Sequence, residues 1–314
     1  MNIGLGTAAL GRPEYINLRQ EQKANIALEA FKEKGIETLD SAYALGIRYF
    51  DTAPGYGMAE QLLHHWITQK QYEDVEIASK WGYTYVANFD PKATVHEIKE
   101  HSLSKLQEQW AASKLLLPYL SSYQIHSATL DSGIFENQAA LDYLAELKAT
   151  YKLQIGITSS GDKQSEIVER ALEIHKNGLP LFDSFQITYN IIEQSMGPLI
   201  HTLNTNKKRV VIKEALANGR VFRNVSMPQY TPIYNLLDQL ANKYEVGTDA
   251  IAIAFCLQSV SPFMVLSGAS NSKHLTNNLL ALSTILTKEE ISQMQSLSST
   301  PSQYWHERKQ MAWN

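Results

Sequence analysis

Short runs of β-branched and aromatic residues alternate along this chain with longer segments whose apolar positions recur every three or four residues. Eight runs read as strands: NIGLG (2–6), IRYFD (47–51), VEIASK (75–80), SSYQIH (121–126), LQIGIT (153–158), SFQITY (184–189), RVVIK (209–213) and FMVLSG (263–268). Between them lie amphipathic stretches with a helical period: EQKANIALEAFKEK (21–34), AEQLLHHWITQK (59–70), TVHEIKEHSLSKLQEQW (94–110), AALDYLAELKAT (139–150) and SEIVERALEIHK (165–176). Regular strand, helix, strand spacing argues for parallel βαβ units. Eight such units closing on themselves make a (β/α)8 TIM barrel. Residues 1–314 are therefore expected to form a single barrel domain, with a tail from about 286 to 314 covering it.

An open doubly wound sheet is the alternative, and it requires a nucleotide fingerprint that follows a strand and opens a helix. GLGTAA (4–9) puts Gly4, Gly6 and Ala9 in the small-residue positions, but Gly11, Arg12 and Pro13 come next and predict a loop. The fingerprint lacks its context, so the barrel is preferred.

Composition narrows the class further. The 314 residues are 44% hydrophobic with a formal net charge of -4, which gives no footprint for nucleic acid; the basic run NKKR (206–209) reads as a solvated loop. No apolar stretch approaches the ~18 residues of a membrane span. No basic-then-apolar leader is visible at the start, so a cytoplasmic setting is the default. The lone Cys256 lies in the apolar run AIAIAFCLQ and reads as a core thiol. No metal set is apparent, since His64 and His65 are adjacent on one helix and point to different faces.

In a barrel the chemistry gathers where strands end, at the carboxyl face. Six runs end in polar groups: Asp51; Lys80; His126; Thr158 with Ser159; Gln186 and Tyr189; and Lys213 with Glu214. After Asp51, the loop TAPGYG aims Tyr56 over the mouth, because Pro54, Gly55 and Gly57 enforce a tight turn. A lysine at a buried strand end needs a partner, which Asp51 supplies. The paired ammonium is expected to lower the Tyr56 phenol below its ordinary ~10 and make it a proton donor. His126 on the next strand would hydrogen-bond the same substrate oxygen. The set delivers a proton to an oxygen and lacks only a source of hydride.

With FDTAPGYG, ASKWG and YQIHS in order, the chain resembles the aldo-keto reductase superfamily from residue 3 to about 285. The resemblance implies a catalytic tetrad of Asp51, Tyr56, Lys80 and His126, with Tyr56 as general acid. It implies a nicotinamide dinucleotide extended across the mouth: Thr158, Ser159 and Gln186 on the carboxamide, Tyr189 stacked on the ring, and Leu216, Asn218 and Gly219 around the pyrophosphate. Gly268, Ala269, Ser270, Asn271, His274 and Asn278 would take the phosphate and adenine. NADP is expected by family frequency. NAD is the alternative, because His274 and Asn277 stand where relatives often carry arginine or glutamine and glutamate.

The expected partner is a small carbonyl or sugar substrate, whose identity the sequence leaves open, as it does the oligomeric state. Trp81, Tyr83, Tyr85 and YINL (15–18) are expected to line the mouth, and YWHERKQMAWN (304–314) to fold over it. WAASKLLLPYL and FENQ around the fourth strand suggest a local insertion. Three functions remain: carbonyl reductase or alcohol dehydrogenase; a redox-sensing, cofactor-binding subunit; and a barrel that has lost hydride chemistry, against which the intact tetrad argues.

Overall fold

All eight apolar runs form strands, and they close into a parallel barrel in which each run lies beside the next and the eighth pairs with the first. The structure is a computed structural model and describes residues 1–13, 27–90 and 92–312. In chain order its elements begin β1 (Ile3–Gly6), α1 (Ala8–Gly11), α2 (Leu28–Ala44), β2 (Tyr49–Asp51), α3 (Ala59–Lys70) and β3 (Glu76–Trp81). A hairpin follows, β4 (Tyr83–Tyr85) with β5 (Glu97–Lys99), and then α4 (Leu103–Ser113), β6 (Leu120–Ala128), α5 (Gln138–Tyr151), β7 (Gln154–Ser159) and α6 (Gln164–Leu172). A second small hairpin, β8 (His175–Lys176) with β9 (Leu179–Pro180), leads to β10 (Ser184–Thr188), α7 (Gly197–Thr205) and β11 (Arg209–Lys213). The chain ends with α8 (Thr231–Tyr244), α9 (Thr248–Val260), β12 (Met264–Ser267), α10 (Ser272–Leu279), α11 (Lys288–Gln295) and α12 (Pro301–Gln310).

Two hairpins replace part of what the periodicity predicts as helix. The stretch 94–110 is strand at Glu97–Lys99 and becomes helix only at Leu103. Gly82, at φ +107°, separates β3 from β4, in which Tyr83 pairs with Lys99 and Tyr85 with Glu97, and Ser102 then caps α4 by accepting from the Lys105 amide at 3.1 Å. The segment 165–176 stops being helical at Leu172, because Asn177 and Gly178, both at positive φ, fold His175–Lys176 back onto Leu179–Pro180. Helix α2 runs on to Ala44, past the predicted end at residue 34, while residues 21–26 of that stretch lie outside the described residues. WAASKLLLPYL holds no inserted element; it is the end of α4, a single 3-10 turn at Lys114–Leu116 and the entry to β6.

Two apolar layers hold the barrel. The larger lies between strands and helices and includes Phe50, Trp66, Ile125, Ile157, Phe185 and most of α9, with Cys256 buried in it. The smaller, Tyr49, Ala78, Val211, Met264 and Leu266, fills the barrel interior. Side chains alternate across a strand, so the residues two positions after Tyr49, Ala78 and Val211 also face inward, one layer nearer the mouth. They are Asp51, Lys80 and Lys213.

The first loop is locked under the tyrosine loop. A Cβ on Gly11 would lie 1.9 Å from the Tyr56 carbonyl oxygen and 2.5 Å from the Ala59 Cβ, and the Met58 amide donates to the Gly11 carbonyl at 2.9 Å. Gly11→Ala is therefore expected to lower stability by about 1–3 kcal/mol through overpacking. Thermal unfolding followed by circular dichroism measures this, and an unchanged Tm would mean that the loop yields freely.

Candidate active site

Strand β2 ends at Asp51 and its neighbour β3 carries Lys80 one residue before its end, and the two side chains form an ion pair almost wholly out of water. The Lys80 ammonium also donates to the Thr52 carbonyl at 3.0 Å, and Asp51 accepts from the Gln186 amide at 2.7 Å across the barrel. Each charge thus has the partners that burial demands. Just beyond, Pro54–Tyr56 makes a 3-10 turn that sets the Tyr56 ring over Lys80, with Nζ 4.8 Å from its centroid. The His126 ring meets Tyr56 edge-on, centroids 5.4 Å apart at 88°. All four predicted tetrad residues are brought together.

The electrostatics correct one expectation. Burial raises the Tyr56 phenol well above its ordinary value, and the Asp51 carboxylate pushes in the same direction; Arg12 opposes them without prevailing. Lys80 does not bring it below the ordinary value, because its charge is already met by Asp51 and because the surrounding protein displaces much of the water that would stabilise a phenolate. His126 moves oppositely: burial and the cations Lys80, Arg12 and Lys213 hold it well below its ordinary value. The pair is therefore a protonated phenol beside a neutral imidazole at physiological pH.

Sequence reasoning missed two supports. Arg12, buried in the first loop, donates to the Gly55 carbonyl at 2.9 Å and to Glu97 at 2.8 Å, with its guanidinium carbon 5.6 Å from the Tyr56 centroid. His101 Nε2 contacts the His126 carbonyl at 3.0 Å, beside a register shift between β6 and β7 and Ser127 at φ +47°. Both come from loops far from the tetrad in sequence, and only the Gly-Arg-Pro punctuation hinted at the first.

The predicted cofactor ring is only partly assembled. Thr158 accepts from the Ser127 amide at 2.6 Å, and the Gln186 amide is committed to Asp51. Tyr189 is placed elsewhere: Gln186 and Thr188 face the barrel interior, so alternation turns Tyr189 outward, where it is 2% exposed and stacked on Phe255 of α9, 5.9 Å away at 8°. The nicotinamide-stacking role expected of it is removed. Asn278 is buried too, bonded to Ser267 and, with its amide turned, to Asp249 at 2.7 Å. Leu216, Asn218 and Gly219 lie on the turn after β11, with Asn218 at φ +56°. Gly268, Ala269 and Ser270 lead into α10, whose cap is Asn271, accepting from the His274 amide at 2.9 Å; His274 itself is exposed.

What remains suits a polar ligand. Thr52 Oγ1, both amide atoms of Gln124, His126 Nδ1 and Ser159 Oγ are buried around the mouth without a hydrogen-bond partner among the described residues. Buried polar atoms are rarely left so unless something bonds them. Of the residues expected to line the mouth, Tyr83 lies 4.7 Å from His126 between ring centroids, whereas Trp81 is fully buried against His101 and YINL lies outside the described residues. Helix α12 contributes Tyr304 and Trp305; Trp313 and Asn314 of the predicted tail lie outside the described residues. A cleft of 480 Å³ lined by Lys148, Lys152, Lys207 and Lys208 belongs to the opposite end of the barrel, and NKKR falls there.

The structure thus has a closed parallel barrel with a buried Asp–Lys pair under a tyrosine and a histidine at its mouth. The sequence model of the aldo/keto reductase family matches residues 2–299, and the chain belongs to that family of oxidoreductases, which use nicotinamide cofactors. It is 25% identical over 292 residues to an uncharacterized oxidoreductase of Bacillus subtilis (strain 168), covering 86% of this chain and 90% of the relative. It is 24% identical over 322 residues to an NADH-specific methylglyoxal reductase of Escherichia coli (strain K12), covering 94% of each. Among solved structures it superposes on a glycerol dehydrogenase from Gluconobacter oxydans with a TM-score of 0.71 at 18% identity, over 94% of this chain and 90% of that one. An aldo-keto reductase from Bacillus halodurans in its holo form gives 0.67 at 20%, over 95% and 92%. At these identities the structural likeness concerns the fold.

The two buried histidines give a direct check. His101 is expected to titrate near 4, held down by burial and by Lys99. His126 should remain neutral well below the ordinary ~6.5. Ring resonances followed by NMR from pH 8 downward should show both neutral at pH 6; a His126 midpoint near 6.5 would mean that its ring is hydrated.

Proposed function

We infer that this chain is a nicotinamide-dependent reductase of aldehydes or ketones, or an oxidant of the corresponding alcohols or sugars, with Tyr56 as the general acid. The observation that carries this reading is a protonated phenol set edge-on to a neutral imidazole above a buried Lys80–Asp51 pair. A carbonyl oxygen in the angle between Tyr56 and His126 would receive hydrogen bonds from both. When bound, the nicotinamide supplies the hydride that the chain lacks. As negative charge develops on the oxygen, the Tyr56 hydroxyl gives up its proton, and the phenolate left behind is stabilised by Lys80 beneath the ring and Arg12 beside it. Asp51 holds Lys80 in place and His126 orients the carbonyl; the raised phenol keeps the acid loaded.

The unpartnered Ser159 hydroxyl, the turn at Leu216–Gly219 and the loop Gly268–Asn271 before α10 are the groups suited to the cofactor. NADP is proposed by family frequency with NAD as the alternative, and the NADH-specific relative from Escherichia coli adds weight to NAD. The reading takes residues 1–314 as one barrel domain with the segment from about 286 laid across the mouth. The bonds of Tyr304 and Arg308 of α12 to Glu214 at the end of β11, at 3.1 and 3.0 Å, support it. A small carbonyl or sugar substrate in the cytoplasm completes the proposal; among the described residues no helix is long and apolar enough to cross a membrane.

Quenching of tryptophan fluorescence by NADPH or NADH tests the reading, and quenching by neither would withdraw it. Tyr56→Phe is expected to lower kcat by at least about 100-fold, the scale of general-acid catalysis, with cofactor affinity retained; lost affinity would count against the assigned role. Because the acid works only while protonated and its pKa is raised, kcat/KM for reduction should stay level up to about pH 9 and fall only beyond the ordinary tyrosine range. A fall centred between pH 7 and 8 would show a lowered phenol. His274→Ala should weaken NADPH more than NADH if His274 meets the 2′-phosphate, and equal weakening would reject that contact.

A further inference from the structure

The basic run NKKR (206–209) has no part in the chemistry at the mouth, and it lies at the floor of the barrel, the end away from Tyr56. There it joins Lys148 and Lys152 around a cleft of 480 Å³, within the range of about 300–1,000 Å³ common to small-molecule sites. Strand order brings these residues together. Lys152 caps α5 just before β7, Asp183 precedes β10, and Lys207 and Lys208 connect α7 to β11. Because β7, β10 and β11 lie side by side and parallel, their starting ends gather cations from loops far apart in the chain.

Five cationic side chains line the cleft against one carboxylate, Asp183. That carboxylate is taken by Lys148 at 2.8 Å, and Arg209 is committed to Glu76. The Lys208 ammonium meets a neutral group, the Phe182 carbonyl, at 2.7 Å. Lys152 and Lys207 are exposed, held at left-handed φ of +57° and +55°, and form no ion pair among the described residues. Helices α5 and α7 end here, but their two carboxyl termini together supply only about one negative charge. Burial holds the Lys208 ammonium below its ordinary value; Asp183 opposes this and Lys148 adds to it, as where cations crowd. On a chain with a formal net charge of -4, this surplus of positive charge is local.

We propose that the floor cleft is a second binding site, for a small multivalent anion of the oligophosphate class, whose oxygens are met by Lys152, Lys207 and Lys208. Lysine ammoniums are compact point charges suited to phosphate oxygens, whereas planar carboxylate recognition favours arginine, and the arginine here is already engaged by Glu76. Three cations without a carboxylate partner on one rim match an anion of several charges better than a monoanion. Free tripolyphosphate and the phosphate chain of a nucleotide share this chemistry. No aromatic side chain lines the cleft to stack on a base, so the phosphate chain is what it reads. The inference does not rest on the reductase reading, since no lining residue belongs to the tetrad or to the groups suited to the cofactor.

Isothermal titration calorimetry of the full chain with tripolyphosphate, orthophosphate and ATP, at neutral pH and about 0.15 M salt, tests this. Tripolyphosphate should bind with a Kd below about 1 mM and at least about tenfold more tightly than orthophosphate, the worth of one further hydrogen bond between charged groups. ATP should bind within about threefold of tripolyphosphate. Reversing two exposed charges, Lys152→Glu with Lys207→Glu, should weaken tripolyphosphate by about tenfold or more, and the milder Lys152→Gln with Lys207→Gln should lose part of the affinity. Reversal on distant helices, Lys34→Glu with Lys288→Glu, controls for net charge and should change it by less than about threefold. Equal, weak binding of both inorganic phosphates overturns the proposal, as does tripolyphosphate binding that survives reversal at the floor or falls equally in the distant control. Binding of ATP without tripolyphosphate, or displacement of tripolyphosphate by NADPH, would place the anion in a nucleotide site and also overturn it. Tighter binding of a single-stranded oligonucleotide, lost on the same floor reversal, would make this a nucleic-acid surface and overturn it too.

Discussion

Everything at the mouth of this protein depends on closing eight parallel strands into a ring in which alternate residues must point inward. That constraint stacks an apolar layer of Tyr49, Ala78, Val211, Met264 and Leu266 beneath a polar one. It also obliges Asp51 and Lys80, side by side on adjacent strands, to neutralise each other where water cannot. A lone charge at either place would be expensive to bury. The pair in turn fixes Gln186 across the barrel and gives the tyrosine loop a charged floor.

The same enclosure decides how the proposed acid, Tyr56, would work. A phenol partly shielded from water and close to a carboxylate is harder to ionise, so the cation beneath it leaves the phenol protonated in the resting site. In the proposed reaction that cation would contribute as the proton leaves and a phenolate needs stabilising, which is where electrostatic preorganisation counts. His126, kept neutral by burial and three cations, retains both a donor and an acceptor nitrogen. Arg12 and His101 hold the two rings from behind, through the Gly55 and His126 carbonyls.

On its far side the mouth is completed by the end of the chain. Tyr304 receives a hydrogen bond from Asn190 at 3.1 Å and donates to Glu214, while Arg220 stacks on its ring at 3.9 Å and Arg308 closes the cluster. This network links β10, β11 and α12, so the ends of two barrel strands and the last helix are ordered together.

The sequence by itself determined the barrel and the gathering of four residues at its mouth, because both are written in local pattern: apolar runs of strand length ending in Asp51, Lys80 and His126, and a Pro-Gly turn presenting Tyr56. Where long-range pairing competes with local period, the pattern misleads. Residues 94–110 carry a helical period, yet Glu97–Lys99 pair with Tyr83–Tyr85 as a strand, and Tyr189 looks like a ring at a strand end until its parity, counted from Gln186, turns it outward onto Phe255. Only the tertiary structure decided which polar groups were already bonded and which were left over, and in which direction burial moved Tyr56. Those depend on distances and water exclusion across the ring, between residues far apart in the chain, which one-dimensional spacing does not encode.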